Sequence, residues 1–118
     1  MNDKDNTFGR ALREARRSEG MSQRDLAGTV GVDFSYISKV ENGRLPPPAA
    51  DTIVRICEAL RVSSDQLLAA TGKMPTEIQK MLGGSPSALR FIREAYHMAL
   101  TDDEWTAMVG QMRKLRNG

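Results

Sequence analysis

The sequence predicts an all-α protein. Apolar residues recur at spacings of three and four along nearly the whole chain, a residue able to cap a helix stands before almost every such stretch, and no segment alternates as a strand would. Composition agrees with this. Of 118 residues 40% are hydrophobic but only 5% aromatic, so the core must come from Leu, Ile, Val, Ala and Met, which suits small helical bundles and disfavours an all-β sandwich. Charged residues make up 27%, an ordinary globular value far from the composition of disordered chains. The length fits one domain with a short appendage better than two full domains.

A first helix is expected over residues 8–19, capped by Asn6 or Thr7, with Phe8, Leu12 and Ala15 on one face and Gly20 at its end. Ser22 opens a second over 23–30, with Asp25 completing a variant capping box and Leu26, Ala27 and Val30 pointing inward. Gly31 stops it. Asp33 is the expected cap of a third helix over 34–41, whose inward candidates are Ile37, Val40 and also Tyr36, and Asn42 and Gly43 close it. The run Leu45-Pro46-Pro47-Pro48 forbids a helix and makes a stiff connector, with Pro48 suited to the first turn of the next helix. In a fourth helix over 49–60, Ile53, Ile56, Cys57 and Leu60 share a face, so Cys57 reads as a small core residue. A Ser63-to-Gln66 capping box opens the fifth helix, and Gly72 ends it.

Beyond Gly72 the pattern changes. A short helix is expected from Pro75 to Leu82, then a hinge at Gly83-Gly84-Ser85-Pro86. The next helix carries Ala88, Phe91, Ile92, Ala95, Tyr96 and Ala99 as a stripe. A Thr101-to-Glu104 capping box opens the last, where Trp105, Met108, Val109, Met112 and Leu115 form what reads as the strongest amphipathic signal of the chain.

Several function classes are excluded or disfavoured at this point. One Cys and one His, Cys57 and His97, cannot supply the roughly four ligands of a structural zinc site, and Cys57 cannot form an intramolecular disulfide. No metal site, cofactor or enzymatic activity is expected, since there is no glycine-rich phosphate loop and no carboxylate cluster near either residue. No run reaches the ~18 apolar residues of a membrane span, and the opening MNDKDNTFGR is too polar for a leader, so a cytoplasmic location without membrane contact is expected. The net charge is only +2, and it is spread evenly: residues 1–46 hold eight basic and seven acidic side chains, and residues 47–118 nine and eight. Any basic surface must therefore arise from placement.

Residues 21–43 contain two short helices joined by a tight glycine turn, an arrangement that lets the second enter a major groove while the first braces on the backbone. Gly20, Ser22-Gln23, Leu26-Ala27, Gly31-Val32, Tyr36-Ile37-Ser38 and Glu41-Asn42-Gly43 stand at fixed spacing within residues 8–68. This stretch resembles the Cro and phage-repressor helix-turn-helix domains, the XRE family. The resemblance implies a five-helix, lambda-repressor-like domain over 1–72, a helical C-terminal segment over 73–118 for dimerisation or regulation, and sequence-specific binding to double-stranded DNA as a transcriptional regulator. A repressor acting as a homodimer on a palindromic operator is the expected form.

It also implies roles for single residues. Gln23 would hold a DNA phosphate at a helix N-terminus, against a plain exposed helix-start residue as the other reading. Phe34, Ser35, Tyr36, Ser38 and Lys39 would lie on or near the reading surface: Lys39 could donate to guanine O6 or N7, and Phe34 could press on a thymine methyl or be a core aromatic. Relatives often carry a polar residue at that position. Asn42 and Arg44 would grip the phosphate backbone. Arg16 and Glu41 would form a largely buried ion pair, while Arg10, Arg13 and Arg17 read as a solvated face. Relatives usually offer Asn-Pro-Ser before the fourth helix, where this chain has Pro47-Pro48-Ala49 and so loses a hydroxyl cap.

The segment 73–118 is near the length below which a chain seldom sustains its own core, so it needs a partner. A symmetric dimer interface through Phe91, Ile92, Trp105, Met108, Val109, Met112 and Leu115 is expected, with packing onto the chain's own DNA-binding domain as the rival. A protease or an antirepressor acting on this tail, or a toxin neutralised by an antitoxin-type module, are further partner readings.

Overall fold

In a computed structural model, residues 6–117 are described; the first five residues, and with them half of the opening read against a leader, lie outside these. Eight helices and no strand occur among the described residues: α1 (Thr7–Ser18), α2 (Gln23–Val30), α3 (Phe34–Glu41), α4 (Ala50–Leu60), α5 (Asp65–Thr71), α6 (Thr76–Gly83), α7 (Pro86–Met98) and α8 (Asp102–Asn117). The chain forms two compact units, dividing after Ile78.

In the N-terminal unit α3 packs on α1 and α2, α2 on α4, and α5 on α1 and α4. The core holds one apolar residue set from all five helices: Phe8 and Leu12, Leu26, Ala27 and Val30, Ile37 and Val40, Ile53, Ile56, Cys57 and Leu60, and Leu67. Each inward position expected from the 3.6-residue period lies in or against this cluster, because the period confines apolar side chains to one stripe per helix. Cys57 is among them, and burial pushes its thiol up from its ordinary value.

Caps decide where these short helices start. Ser22 Oγ accepts from Asp25 N at 3.0 Å and the Asp25 carboxylate accepts from Ser22 N, the reciprocal pair expected there. Gly31 ends α2 with φ of 84°, a left-handed conformation glycine adopts without Cβ strain, and its N–H and that of Val32 both return to Ala27 O. Three expected side-chain caps do not form. Asp33 is at the N-cap of α3 but its side chain makes no cap hydrogen bond, and at α5 the N-cap is Ser64, also without one. Ser63 Oγ instead accepts from Asp65 N two residues on, a local turn that competes with the box.

Asn6, the N-cap residue of α1, turns its amide elsewhere as well, donating to Glu41 O at 2.8 Å. The close approach beneath it rests on Gly9. A Cβ built there would meet Glu41 O and Val40 O at 2.5 Å, so only glycine lets α1 lie this close to the end of α3.

The proline connector is held by a residue 25 and more positions away. Lys73 Nζ donates to Pro47 O at 3.0 Å and Pro48 O at 2.8 Å, while Asp51 in the first turn of α4 accepts from Thr76 N at 3.0 Å and Thr76 Oγ1 at 2.7 Å. These bonds tie both ends of the segment between α5 and α6 to the start of α4, where the hydroxyl cap is missing.

In the C-terminal unit Ser85 Oγ caps α7 through Ala88 N, with Pro86 in its first turn, and Thr101 and Glu104 form the reciprocal box at α8. The helix α7 stops at Met98, just short of the last stripe position, with Ala99 left-handed at φ of 50°. The amphipathic ranking is corrected. The strongest contrast between faces belongs to α1, and α8 is weaker, because Thr106, Ala107 and Gly110 dilute the polar face of α8 while Arg10, Arg13, Glu14 and Arg17 sharpen that of α1. Within the α7 stripe Ala95 is buried and Ala88 half-buried, but the large apolar residues of α7 and α8 are exposed. Phe91, Ile92, Trp105, Met108, Val109 and Met112 are all exposed, and Leu115 is 85% exposed.

Replacing Gly9 by Ala is expected to destabilise the protein by about 1–3 kcal/mol, the usual effect of overpacking, measured as a fall in thermal midpoint by circular dichroism. An unchanged midpoint would show that α1 and α3 approach less closely than described.

Candidate nucleic-acid interface

A short surface helix keeps one face in a fixed orientation only when its other face is anchored. For α3 the anchor is Glu41 at its last position, whose side chain is fully buried. An isolated carboxylate would not tolerate such a site. Arg16 of α1 meets it with two parallel bonds, Nε to Oε2 at 2.7 Å and Nη2 to Oε1 at 3.0 Å, and turns Nη1 to Met21 O at 2.8 Å. Arg13 Nε adds a bond to Oε1 at 3.3 Å and Gln23 Nε2 another at 3.0 Å. The pair expected between Arg16 and Glu41 is thus present, as the centre of a larger node that joins α1, α2 and α3. Among the described residues no buried side-chain nitrogen or oxygen lacks a partner.

The electrostatics follow from this geometry. Burial alone would push the Glu41 carboxyl up, but the hydrogen bonds from Arg16, Gln23 and Arg13 and the charge of Arg16 together hold it below the ordinary glutamate range. The hydrogen bond to Glu41 raises the Arg16 guanidinium further, so it stays charged at any relevant pH.

Two roles read from the sequence change. Arg13 is not simply part of a solvated face: besides Glu41, its Nη2 donates to Asn42 Oδ1. Gln23 is half-buried and its side-chain amide is engaged with Glu41 rather than standing free at the start of α2. Neither contact is visible locally, since the partners are 28 and 18 residues away.

The outward face of α3 carries Phe34, Ser35 and Lys39, all exposed, with Ser38 half-buried beside them. Tyr36 packs against the core, and burial pushes its phenol up. Asn42 and Arg44 are exposed just after the helix; Asn42 accepts from Arg13 through Oδ1 and donates through Nδ2 to Ser38 Oγ at 3.4 Å. Phe34 is not a core aromatic: it is 42% exposed, and the Arg24 guanidinium lies 4.7 Å from its ring centroid. The sequence pattern does not single out Arg24, because nothing local marks an exposed arginine for an aromatic partner ten residues on. Among the described residues no group of three or more His, Cys, Asp or Glu could hold a metal ion, and no helix is long and apolar enough to cross a membrane.

Comparisons with known proteins define the class. A family described as "Helix-turn-helix domain" matches residues 7–71, more than half of the chain and the whole of α1 to α5. An HTH-type transcriptional regulator of Bacillus subtilis (strain 168), RghRB, is 35% identical over 97 residues, covering 80% of this chain and 67% of the relative. Among solved structures, SinR in complex with DNA is similar with a TM-score of 0.50 and 29% identity, over 52% of this chain and 98% of that one. The restriction-modification controller protein C.AhdI from Aeromonas hydrophila is similar with a TM-score of 0.50 and 33% identity, over 56% of this chain and 98% of that one. The chain belongs to the helix-turn-helix family of XRE type, and it is a DNA-binding transcriptional regulator.

The buried node gives a pH prediction. Because Glu41 is depressed in the folded state, its stabilising contribution is present above the ordinary glutamate value of about 4.3 and is lost as the pH falls through the lower folded value. The wild type should therefore unfold at lower urea concentrations in acid. Glu41→Gln should be destabilised by roughly 3–5 kcal/mol at neutral pH, since it strands Arg16, and should show a shallower acid loss. Equal acid slopes in the two proteins would contradict the role given to Glu41.

Proposed function

We propose that the chain is a repressor that binds a two-fold symmetric operator as a homodimer, each protomer laying α3 in the major groove. The observation that carries this reading is the division of α3 into two faces: Ile37, Val40 and Glu41 are locked into the core, while Phe34, Ser35 and Lys39 stand exposed. A short helix held in this way presents base-reading groups without losing much side-chain or backbone order on binding. Lys39 donates to a guanine edge, Ser35 and Ser38 bond base or backbone atoms, and Phe34 presses on a thymine methyl. Asn42, Arg44 and the start of α2 at Gln23 hold phosphates, with Tyr36 at the margin of the same surface. This set suits a protein of small net charge, because a handful of cationic and amide groups on one face serve one half-site.

In this reading residues 1–72 read DNA and residues 73–118 pair the two copies. The exposed Phe91, Ile92, Trp105, Met108, Val109, Met112 and Leu115 support it, since apolar stripes of this kind call for a covering surface and a single reader recognises only half a site. The protein works in the cytoplasm as a binding protein rather than an enzyme. The glycine break after α6 is where a protease or antirepressor would gain access to the tail.

Selection of bound duplexes from random sequence at a stated salt concentration should return an inverted repeat, with half-site centres roughly 34–36 Å apart or a multiple of it. Lys39→Ala should then lose preference at one base position by about 1–3 kcal/mol. Asn42→Ala and Arg44→Ala should instead weaken all sites alike, and Arg44→Ala, which removes a charge, should also reduce the salt slope by about 1. The reverse pattern would overturn the assignment of α3 as the reading helix.

Sedimentation tests the pairing. Trp105→Ala combined with Met108→Ala should shift the chain towards monomer and weaken binding to the full operator more than to a half-site; a dimer of unchanged strength counts against the tail as the interface.

A further inference from the structure

We propose that Arg24 and Phe34 act as one composite reader that recognises a guanine and a thymine in adjacent base pairs. This rests on the reading of α3 as the major-groove helix. Phe34 is the first residue of α3, the end from which helices of this kind reach base edges, and Arg24 is in the first turn of α2. The Arg24 guanidinium lies 4.7 Å from the Phe34 ring centroid, so the two side chains are stacked across the junction of the two helices.

Three features give the pair a ligand. Arg24 is exposed and, among the described residues, has no carboxylate or hydrogen-bond partner, so its donors are all available. A guanidinium lying over a ring has one face covered and its N–H groups left at the rim, as a planar fork of fixed geometry. The major-groove edge that matches such a fork is guanine, with O6 and N7 as neighbouring acceptors. The exposed part of the Phe34 ring can donate nothing, and the base feature it complements is the thymine methyl. A guanine and a thymine cannot belong to one Watson–Crick pair, and side chains in contact reach only neighbouring base features, so the two bases lie in adjacent pairs. A phosphate contact would need no aromatic platform. Stacking ties the guanidinium to the opening residue of α3 instead of leaving it mobile over the backbone.

Two chemically altered duplexes test this with the full-length chain, using fluorescence anisotropy on the operator found by selection. Replacing the guanine by 7-deazaguanine removes N7, and replacing the thymine by uracil removes the methyl. The wild type should bind the 7-deaza duplex more weakly, by up to the roughly 5- to 150-fold that a bidentate contact provides. Arg24→Ala should bind the parent duplex more weakly and be indifferent to the 7-deaza change. Phe34→Ala should be indifferent to uracil, and its 7-deaza penalty should shrink because the platform is gone. Thermal unfolding of each variant checks that binding is compared between folded proteins, and both positions are exposed, so both variants should melt near the wild type.

An undiminished 7-deaza penalty in Arg24→Ala would overturn the proposal. So would equal weakening of every duplex with a reduced salt slope, the mark of a phosphate contact. A wild type without preference among duplexes would bring down the reading of α3 itself, a result distinct from either of these.

Discussion

The placement of α3 against α1 and α2 depends on one buried carboxylate. Glu41 is the last residue of α3, is fully buried, and takes hydrogen bonds from Arg16, Arg13 and Gln23, which come from the two helices that flank it. A charge in such a place is tolerable only when every partner is in position, so the site permits no loosely docked α3. An apolar contact of equal area would allow the helix to slide by a fraction of a turn. The forked bonds from Arg16 do not, and they set the rotation of α3 about its axis, which in turn sets which residues face outward.

The same node extends to the surface. Arg13 reaches from Glu41 to Asn42, and Asn42 reaches to Ser38, so a chain of polar contacts runs from the interior to two groups on the outer side of α3 and its end. A side chain that would otherwise sample several rotamers is ordered by a neighbour that is itself held from within. Ordering of this kind lowers the entropy lost when a surface closes on its ligand.

The five helices of the N-terminal unit are legible in the sequence because their signals are local. Ser22 with Asp25, Gly31, and the spacing of Leu26, Ala27 and Val30 each act within a turn or two, as do Ser85 at α7 and Thr101 with Glu104 at α8. Local signals also mislead where two local structures compete, as with Ser63, which closes a turn instead of a capping box. The Arg16–Glu41 pair is reached through family resemblance. Contact across long separations is what the sequence does not yield: Gly9 beneath the end of α3, Arg13 on Asn42, Arg24 on Phe34, and Lys73 on the proline connector. In each case the residue has an ordinary local explanation, and only the packing of two distant segments shows that it has another.

Lys73 and Asp51 finish the N-terminal unit in a different way from its core. The core is closed by apolar burial, which salt strengthens or leaves alone, but the segment between α5 and α6 is fastened to the start of α4 by an ammonium on two carbonyls and a carboxylate on a threonine, all largely within reach of water. Water and ions compete with these bonds and not with the core. The outer edge of the unit and its interior therefore answer to different solvent conditions, and the segment between α5 and α6 is held by bonds that can open while the core stays packed.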